Sequence, residues 1–442
     1  MIMTPPVAPG RIPVVGHLVS LGRRPLEFLT SLPAHGDLVE IRLGTVRVLV
    51  VCHPDLMHQV LRDGKLFDKG GAFFEQMRRV TGNGLTTCEH QDHRRQRRLV
   101  HPAFAPDRLT GYATTISTQA GEVSRSWRDG QVIDAVASMN ETTAQITAQI
   151  LFGATLTREE VRDVHRCLTA VVRGIFRRML IPATLRWIPT PGNRQLDRAI
   201  TRLDQLALRI IAAYQRGGED HGDMLSMLMS ARDDQGDTLS DQEIRDQIIT
   251  FLGAGTETTA TLLAWTLHLL ASHPEVEQRL HAEVDTVLGG RAATHADIPR
   301  LNYTRQVLTE ALRIYPPVWL ETRHVTRDTQ LAGHAVPAGT ILLLNQYLIH
   351  HRADLFANPD QFDPDRWLPG QADLPRGAFT PFGGGARKCI GDDIAMLTAT
   401  LVLVAIVGRC RLVTVPGLEV RPLPRACLRP HSLRLRVRKR CP

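Results

Sequence analysis

The sequence predicts a mainly α protein with a small β region to which both ends of the chain contribute. Three observations carry this. Apolar residues recur with a 3.6-residue period through most of the chain from Asp92 to Ala399. Strand-like runs are confined to the stretch before Cys52 and the stretch after Pro316. No internal repeat or low-complexity tract interrupts the pattern.

The elements follow in order. Pro5, Pro6, Pro9 and Pro13 fix φ and remove backbone donors, so residues 1–12 are expected as an extended arm. Asp37 to Leu43 and Val46 to Val51, joined at Gly44-Thr45, predict a hairpin. Glycines break the pattern between Asp68 and Cys88, where a loop carrying Phe73, Phe74 and Met77 is expected. Helical periodicity then covers 110–127, 140–151, 158–180, 194–216, 240–271, 275–288 and 301–315, with a shorter run from His93 to Val100. Gly217 to Ser240 is acidic and glycine-bearing, apart from a short apolar run at Met224 to Met229, and reads as a surface connector. After Pro316-Pro317 strands are predicted at 324–330 and 335–345, with turns at Gly333 and at Pro337-Ala338-Gly339. Asp392 to Val407 reads as a helix. Leu433, Leu435 and Val437 alternate with Arg434, Arg436 and Arg438, which predicts a terminal strand with one solvated basic face.

Composition narrows the function. The net charge of +8 is local: eight basic residues and no acid fall between Val420 and Arg440, and the remainder balances at 45 of each sign. With no recognition motif or interleaved aromatics, nucleic acid is not an expected partner. The seven cysteines are scattered and contain no C-x-x-C pair. That argues against a disulfide framework or structural zinc and fits a reducing cytoplasm. Val14 to Val19 is too short and too polar for a membrane span. Signatures for dinucleotides, the P-loop and H-E-x-x-H zinc are absent. His90 and His93 form an H-x-x-H, but no third ligand is evident.

One segment carries chemistry. In Phe382-Gly383-Gly384-Gly385-Ala386-Arg387-Lys388-Cys389-Ile390-Gly391, a cysteine sits between glycines, two residues after an arginine, just before a helix. It reads either as a buried loop cysteine or as a thiolate supported by nearby cations and turn N–H groups. The glycines would let a flat, bulky partner lie against the backbone. Other patterns accompany it. Ala254-Gly255-Thr256-Glu257-Thr258-Thr259 places an acid beside an alcohol within a long helix, a pair suited to proton delivery. Glu310 and Arg313 share a helix face at i,i+3, upstream of Arg366-Trp367. His93 and Arg97 share a face at i,i+4.

Together these motifs resemble the cytochrome P-450 family, from about Pro9 to the C-terminus. The resemblance implies one domain over 1–442, a helix-rich triangular body with heme b between a long central helix and the cysteine loop. It implies Cys389 as axial iron ligand, a donor that favours O–O cleavage, with Phe382 beside it. Heme propionates would be held by His93, Arg97, Arg323 and Arg387, since arginine's fork suits carboxylates. Glu257 and Thr258 become the acid–alcohol pair, and Glu310, Arg313 and Arg366 a structural cluster beneath the heme. Residues carried over to the substrate pocket are Phe73, Phe74, Met77, Ile249, Leu252, Ala254, Val318, Trp319, Leu320, Cys427 and Leu428. They are nearly all apolar, with Glu321 close by, so an apolar small molecule is expected.

The stretches Ile175 to Pro182 and Pro317 to Arg323 are similar to bacterial sesquiterpene-oxidising members, which implies a terpene hydrocarbon or its alcohol as substrate, with O2. No flavin or nicotinamide domain is fused on, so electrons are expected from a ferredoxin with its ferredoxin reductase. Arg94, Arg95, Arg98 and Lys388 would form a basic docking patch for it. A cytoplasmic monomer is expected. Two alternatives share the cysteine: a peroxide-driven or isomerase-type enzyme, and a non-catalytic heme sensor. Neither requires the Glu257-Thr258 pair.

Overall fold

The computed structural model describes residues 4–153, 156–179, 188, 190–217, 222–371 and 373–440. The chain forms two compact units, each assembled from separated stretches. The first comprises Met1–Gly71, Arg305–Cys389 and Arg421–His431; the second comprises Ala72–Thr304, Ile390–Val420 and Ser432–Pro442.

The first unit is built on a five-stranded sheet of β1 (Leu38–Leu43), β2 (Val46–Val51), β3 (Phe67–Asp68), β5 (Leu320–Val325) and β8 (Ile341–Asn345). Their order is β1-β2-β8-β5-β3, and only the β2–β8 pairing is parallel. Val48 to Val51 and Leu342 to Leu344 are all buried. Such unbroken apolar runs belong to strands covered on both faces. The hairpin forms as expected. The proline-rich arm lies along β1, with the Ala8 N–H donating to Glu40 O (2.8 Å) and the Glu40 N–H to Pro6 O (2.8 Å). It covers an edge that would otherwise be open to pairing.

Helices α1 (Leu18–Arg23), α2 (Pro25–Ser31), α3 (Pro54–Arg62), α14 (Gln346–His350) and α13 (Asn302–Ile314), from Arg305 on, complete this unit with two small hairpins. These are β6 (Thr329–Leu331) with β7 (His334–Val336), and β10 (Pro422–Pro424) with β11 (Leu428–Pro430). Two strand expectations change. The first strand begins at Leu320, not His324, because chain released by the double proline pairs at once with β8. The segment 335–345 splits into β7 and β8 at Pro337-Ala338-Gly339, where Gly339 turns at φ +79°.

The second unit is helical. Its spine is α11 (Asp241–Ser272), started by a capping box between Ser240 and Glu243. Around it lie α5 (His90–Val100), α6 (Pro106–Ser126), α7 (Ala135–Phe152), α8 (Arg158–Met179), α9 (Pro191–Gly217), α12 (Pro274–Leu288) and α15 (Asp392–Val407). All match the expected periodic runs to within a few residues. The sheet β4 (Val132–Asp134), β12 (Arg434–Lys439) and β9 (Cys410–Thr414) carries the terminal strand. Leu435 and Val437 are buried, while Arg434 and Arg438 face solvent.

Two loop expectations are corrected here. Within 68–88, residues Ala72–Thr81 form helix α4. The flanking glycines Gly71 and Gly82 only bracket it, and Phe73, Phe74, Met77 and Val80 share a helical stripe. Within the acidic connector, Met224–Ser230 forms helix α10, capped by the Asp223 carboxylate accepting from the Ser226 N–H (3.0 Å).

Candidate active site

In the first unit the cysteine loop is shaped by backbone bonds. The Cys389 N–H donates to Phe382 O (2.9 Å), the Gly383 N–H to Thr380 O (3.0 Å) and the Lys388 N–H to Gly385 O (3.1 Å). Gly383 and Gly385 adopt φ +69° and +62°. A Cβ on Gly385 would overlap the Leu61 carbonyl oxygen, and one on Gly384 would meet Leu61 Cβ at 3.3 Å. Gly384 and Gly385 thus serve the approach of the loop to α3.

Cys389 is the exposed member of the described free cysteines; Cys441 lies outside the described residues. Burial pushes the Cys52 thiol up to about 12, with the Arg352 charge offsetting part of that, and burial also raises Cys167 and Cys410. None of those three is suited to act as a thiolate.

The same unit buries two ionic clusters. In one, Arg313 donates through Nε and Nη2 to both Glu310 oxygens (2.9 and 2.8 Å). Its remaining donors reach the carbonyls of His350 (3.0 Å), Pro359 (2.7 Å) and Gln361 (3.2 Å). Arg366 joins Glu310 at 3.4 Å, as the family resemblance implies, and the Trp367 indole donates to Glu310 at 2.8 Å. Both Glu310 and Arg313 side chains are 0% exposed.

The other cluster contains Asp68, Lys69, Glu321, Arg323 and Arg387. Arg323 Nη1 donates to Glu321 Oε2 (2.6 Å), Lys69 Nζ to the same oxygen (3.0 Å), and Arg387 Nη2 to Asp68 Oδ1 (2.6 Å). Burial pushes the Lys69 ammonium down and Arg323 adds to this, while Glu321 opposes it. Burial alone would raise Glu321, but Arg323 and Lys69 outweigh it and keep the carboxylate ionised. Among the described residues of this cluster, Lys69, Arg323 and Arg387 are cationic and Asp68 and Glu321 are carboxylates. Arg323 is 2% exposed and uses only Nη1 for its hydrogen bonds among the described residues. A buried arginine with donors to offer matches an anionic ligand such as a heme propionate.

Sequence reading missed Lys69, Asp68 and the part played by Glu321. Glu321 and Arg323, two apart on one strand and therefore on one face, were the available signal. Glu321 is a partner of these cations, not a substrate anchor.

The apolar candidates of this unit separate. Trp319 and Leu428 sit in its hydrophobic core. The Trp319 indole donates to Arg425 O (2.9 Å) and the Leu428 N–H to Pro317 O (3.0 Å), which pins the β10–β11 hairpin. Cys427 is buried as well, Leu320 is half-buried, and Val318 is exposed.

In the second unit α11 is buried from Ile244 to Leu270 except at His268 and around Ala254, Glu257 and Thr258. At 100° per residue the last three share one face. Thr258 Oγ1 donates to Ala254 O (2.7 Å), a back-bond that loosens the helix locally. Gly255 has a different use: a Cβ there would meet Thr147 of α7 at 3.1 Å. Leu252 points away from the Ala254 face and lines a small apolar crevice with Ala144, Ala148, Val164 and Thr256. Ile249 is buried on the same side of the helix, so neither of these two shares the opening.

Phe73 packs edge-on to Phe74 (5.6 Å) and against Phe176 (5.9 Å), with Met77 one turn further along α4. The stretch Leu180 to Pro182 lies outside the described residues. His93 is buried on α5 and Arg97 half-buried one turn on.

The expected basic patch is corrected. Arg95 is paired with Asp233 (2.8 Å) and Glu243 (2.6 Å), and Arg98 with Asp234. The acids of the 230s segment neutralise both, and Arg94 stays exposed.

Comparison with known proteins agrees with these features. The family model for Cytochrome P450 matches residues 5–434. Among curated relatives, cyclooctatin synthase of Streptomyces melanosporofaciens is 47% identical, over 97% of this chain and 94% of its own. Cyclooctat-9-en-7-ol 5-monooxygenase of the same organism is 44% identical, over 95% and 94%. Pentalenene oxygenase of Streptomyces avermitilis is 43% identical, over 98% and 97%. Among solved structures, the cytochrome P450DA heme domain superposes with a TM-score of 0.90 at 27% identity, covering 100% of this chain and 99% of that one. The chain belongs to the cytochrome P450 family: it is a heme-thiolate monooxygenase that uses heme b, O2, an apolar substrate and redox partners. Among the described residues no helix is long and apolar enough to cross a membrane.

Proposed function

We propose that this monooxygenase oxidises a cyclic terpene hydrocarbon or its alcohol. The observation that carries the reading is relatedness over nearly the whole chain to enzymes named for pentalenene and for cyclooctat-9-en-7-ol. An alkene and an unsaturated alcohol are ligands that apolar walls select by shape. The pocket residues proposed are Phe73, Phe74 and Met77 of α4, Ala254 of α11, and Val318 and Leu320 before and within β5.

In this reading Cys389 Sγ holds the iron as a thiolate, with Phe382 alongside. Arg323 and Arg387 take the propionates, with His93 and Arg97 as further donors. Bound heme supplies the oxygen chemistry, in which one atom of O2 enters a C–H bond and the other leaves as water, with two electrons and two protons. The protein's part is proton handling and exclusion. Rotation of the Thr258 side chain off Ala254 O would free its O–H to donate a proton on the open face of α11. The neighbouring Glu257 carboxyl then restores that proton. The apolar stripe of α4 keeps bulk water from competing.

Electrons are proposed to arrive singly from a ferredoxin with its ferredoxin reductase, to a monomer in the cytoplasm. The whole chain acts as one catalytic domain in this proposal. Free cysteines support the cytoplasmic setting. The test is a spectral titration with cyclic terpenes, followed by turnover with a ferredoxin system. Expected are heme-band shifts with cyclic terpenes and hydroxylated product, with product about 100-fold lower in Thr258→Ala. Shifts only with acids or carrier-bound acyl chains would remove the terpene assignment.

A further inference from the structure

The hydrogen bonds around His350 form a circuit that links the buried Glu310–Arg313 pair to the chain leading into Cys389. His350 ends α14 and is 0% exposed. Its Nδ1 lies 3.2 Å from Arg313 O, and its Nε2 lies 3.2 Å from the Thr380 backbone nitrogen. A carbonyl can only accept and an amide N–H can only donate. The two neighbours therefore dictate the ring's form: neutral, with the proton on Nδ1 and the lone pair on Nε2. Burial first, then the charges of His351 and Arg313, push its protonation down to about 3, so that form persists across ordinary pH.

The contact with Arg313 is reciprocal. The His350 ring takes the Arg313 carbonyl while Arg313 Nη1 takes the His350 carbonyl (3.0 Å). The circuit closes through aromatic rings. Phe379 lies against His350 (5.1 Å between centroids) and against Trp367 (4.6 Å), whose indole N–H donates back to Glu310. From Thr380 the path reaches the cysteine in two further bonds. Thr380 O accepts from the Gly383 N–H, and Phe382 O accepts from the Cys389 N–H.

We propose that His350 is a positioning residue for the heme-thiolate centre: its Nε2 acceptor anchors Thr380 and so fixes the entry of the loop that presents Cys389. The role is specific to one ring nitrogen. An acceptor at the Nε2 position is required, and the Nδ1 donor serves the circuit without touching the loop. A protonated ring, or a side chain without that acceptor, leaves the half-buried Thr380 N–H without its partner and frees the loop's first turn. This rests on Cys389 being the iron ligand.

The experiment compares holoenzyme variants His350→Gln, His350→Asn and His350→Phe with the parent. A glutamine amide reaches the Nε2 position and keeps the acceptor; an asparagine amide reaches only the Nδ1 position; phenylalanine keeps neither. The readout is the rate at which the ferrous–CO band converts from the thiolate type to the thiol type, read beside the thermal unfolding midpoint. Expected is conversion about tenfold faster in the asparagine and phenylalanine variants, with the glutamine variant close to the parent.

Equal rates in the glutamine and asparagine variants overturn the proposal, as do rates that simply follow the unfolding midpoints. Should the phenylalanine variant fail to fold, the glutamine–asparagine pair still decides. A parent with no thiolate-type band, indistinguishable from Cys389→Ser, overturns the ligand assignment on which the inference rests; a normal parent band with four equal rates overturns the inference alone.

Discussion

Arg313 and Arg323 are both fully buried arginines of the same unit, each beside a glutamate, yet they are built for different ends. Every N–H of Arg313 is answered inside the protein, by Glu310 and three carbonyl oxygens. Among the described residues Arg323 hydrogen-bonds through Nη1 alone, beside Glu321, which it shares with Lys69. A buried charge with all its donors matched holds a fold together. One with donors left to offer is prepared for something outside the chain. The difference separates scaffold from binding site without reference to any ligand.

The largest effect should come from breaking the saturated cluster. Glu310→Ala leaves Arg313 buried without its carboxylate, and urea unfolding of the heme-free protein should show a loss of about 3–5 kcal/mol. A loss below about 1 kcal/mol would make the two arginines equivalent and end the comparison.

The next effect is acid sensitivity. His350 is bound into the Arg313 circuit in its neutral form, with protonation depressed from 6.5 to about 3. The unfolded chain therefore binds more protons in that window. The stabilisation is complete above about pH 6.5 and is lost as pH falls toward about 3, by up to about 1.4 kcal/mol per pH unit. Unfolding measured against pH should flatten by that slope in His350→Gln.

Arg323→Lys keeps the charge but removes the fork. Heme transfer to an acceptor protein should become about tenfold faster, while the heme-free unfolding midpoint moves little. The reverse pattern would reassign Arg323 to the scaffold. Lys69→Met should have the smallest effect. Glu321 keeps Arg323, so heme loss should change by about twofold.

The sequence and the structure agree where a local rule decides. The amphipathic run Pro191–Gly217 becomes a helix with one buried face, and the apolar run Asp392–Val407 becomes a helix buried all round from Leu397 to Val404. The Glu310–Arg313 pair was readable from its helical i,i+3 spacing, whereas Arg366, 56 residues downstream of Glu310, was placed with it only by the family resemblance.

What escaped depends on chain brought from far away. Ala72–Thr81 looked like a loop because glycines flank it, and the partner of Phe73 is Phe176, about a hundred residues on. Arg95 and Arg98 looked like a free basic face because Asp233, Asp234 and Glu243 reach them only in the folded unit. His350 carried no signal at all: its meaning lies in two backbone atoms, Arg313 O and the Thr380 N–H, which no side-chain pattern records. Ile249 and Leu252 were carried over to the pocket by position in the family resemblance, but helix geometry turns them away from Ala254 and Thr258.

Gly385 has a consequence for anyone wishing to redesign this enzyme. The atom that forbids a side chain there belongs to the main chain of α3, not to a residue that can be exchanged. No compensating mutation on the helix can open the room. A library aimed at new reactivity should therefore hold position 385 invariant.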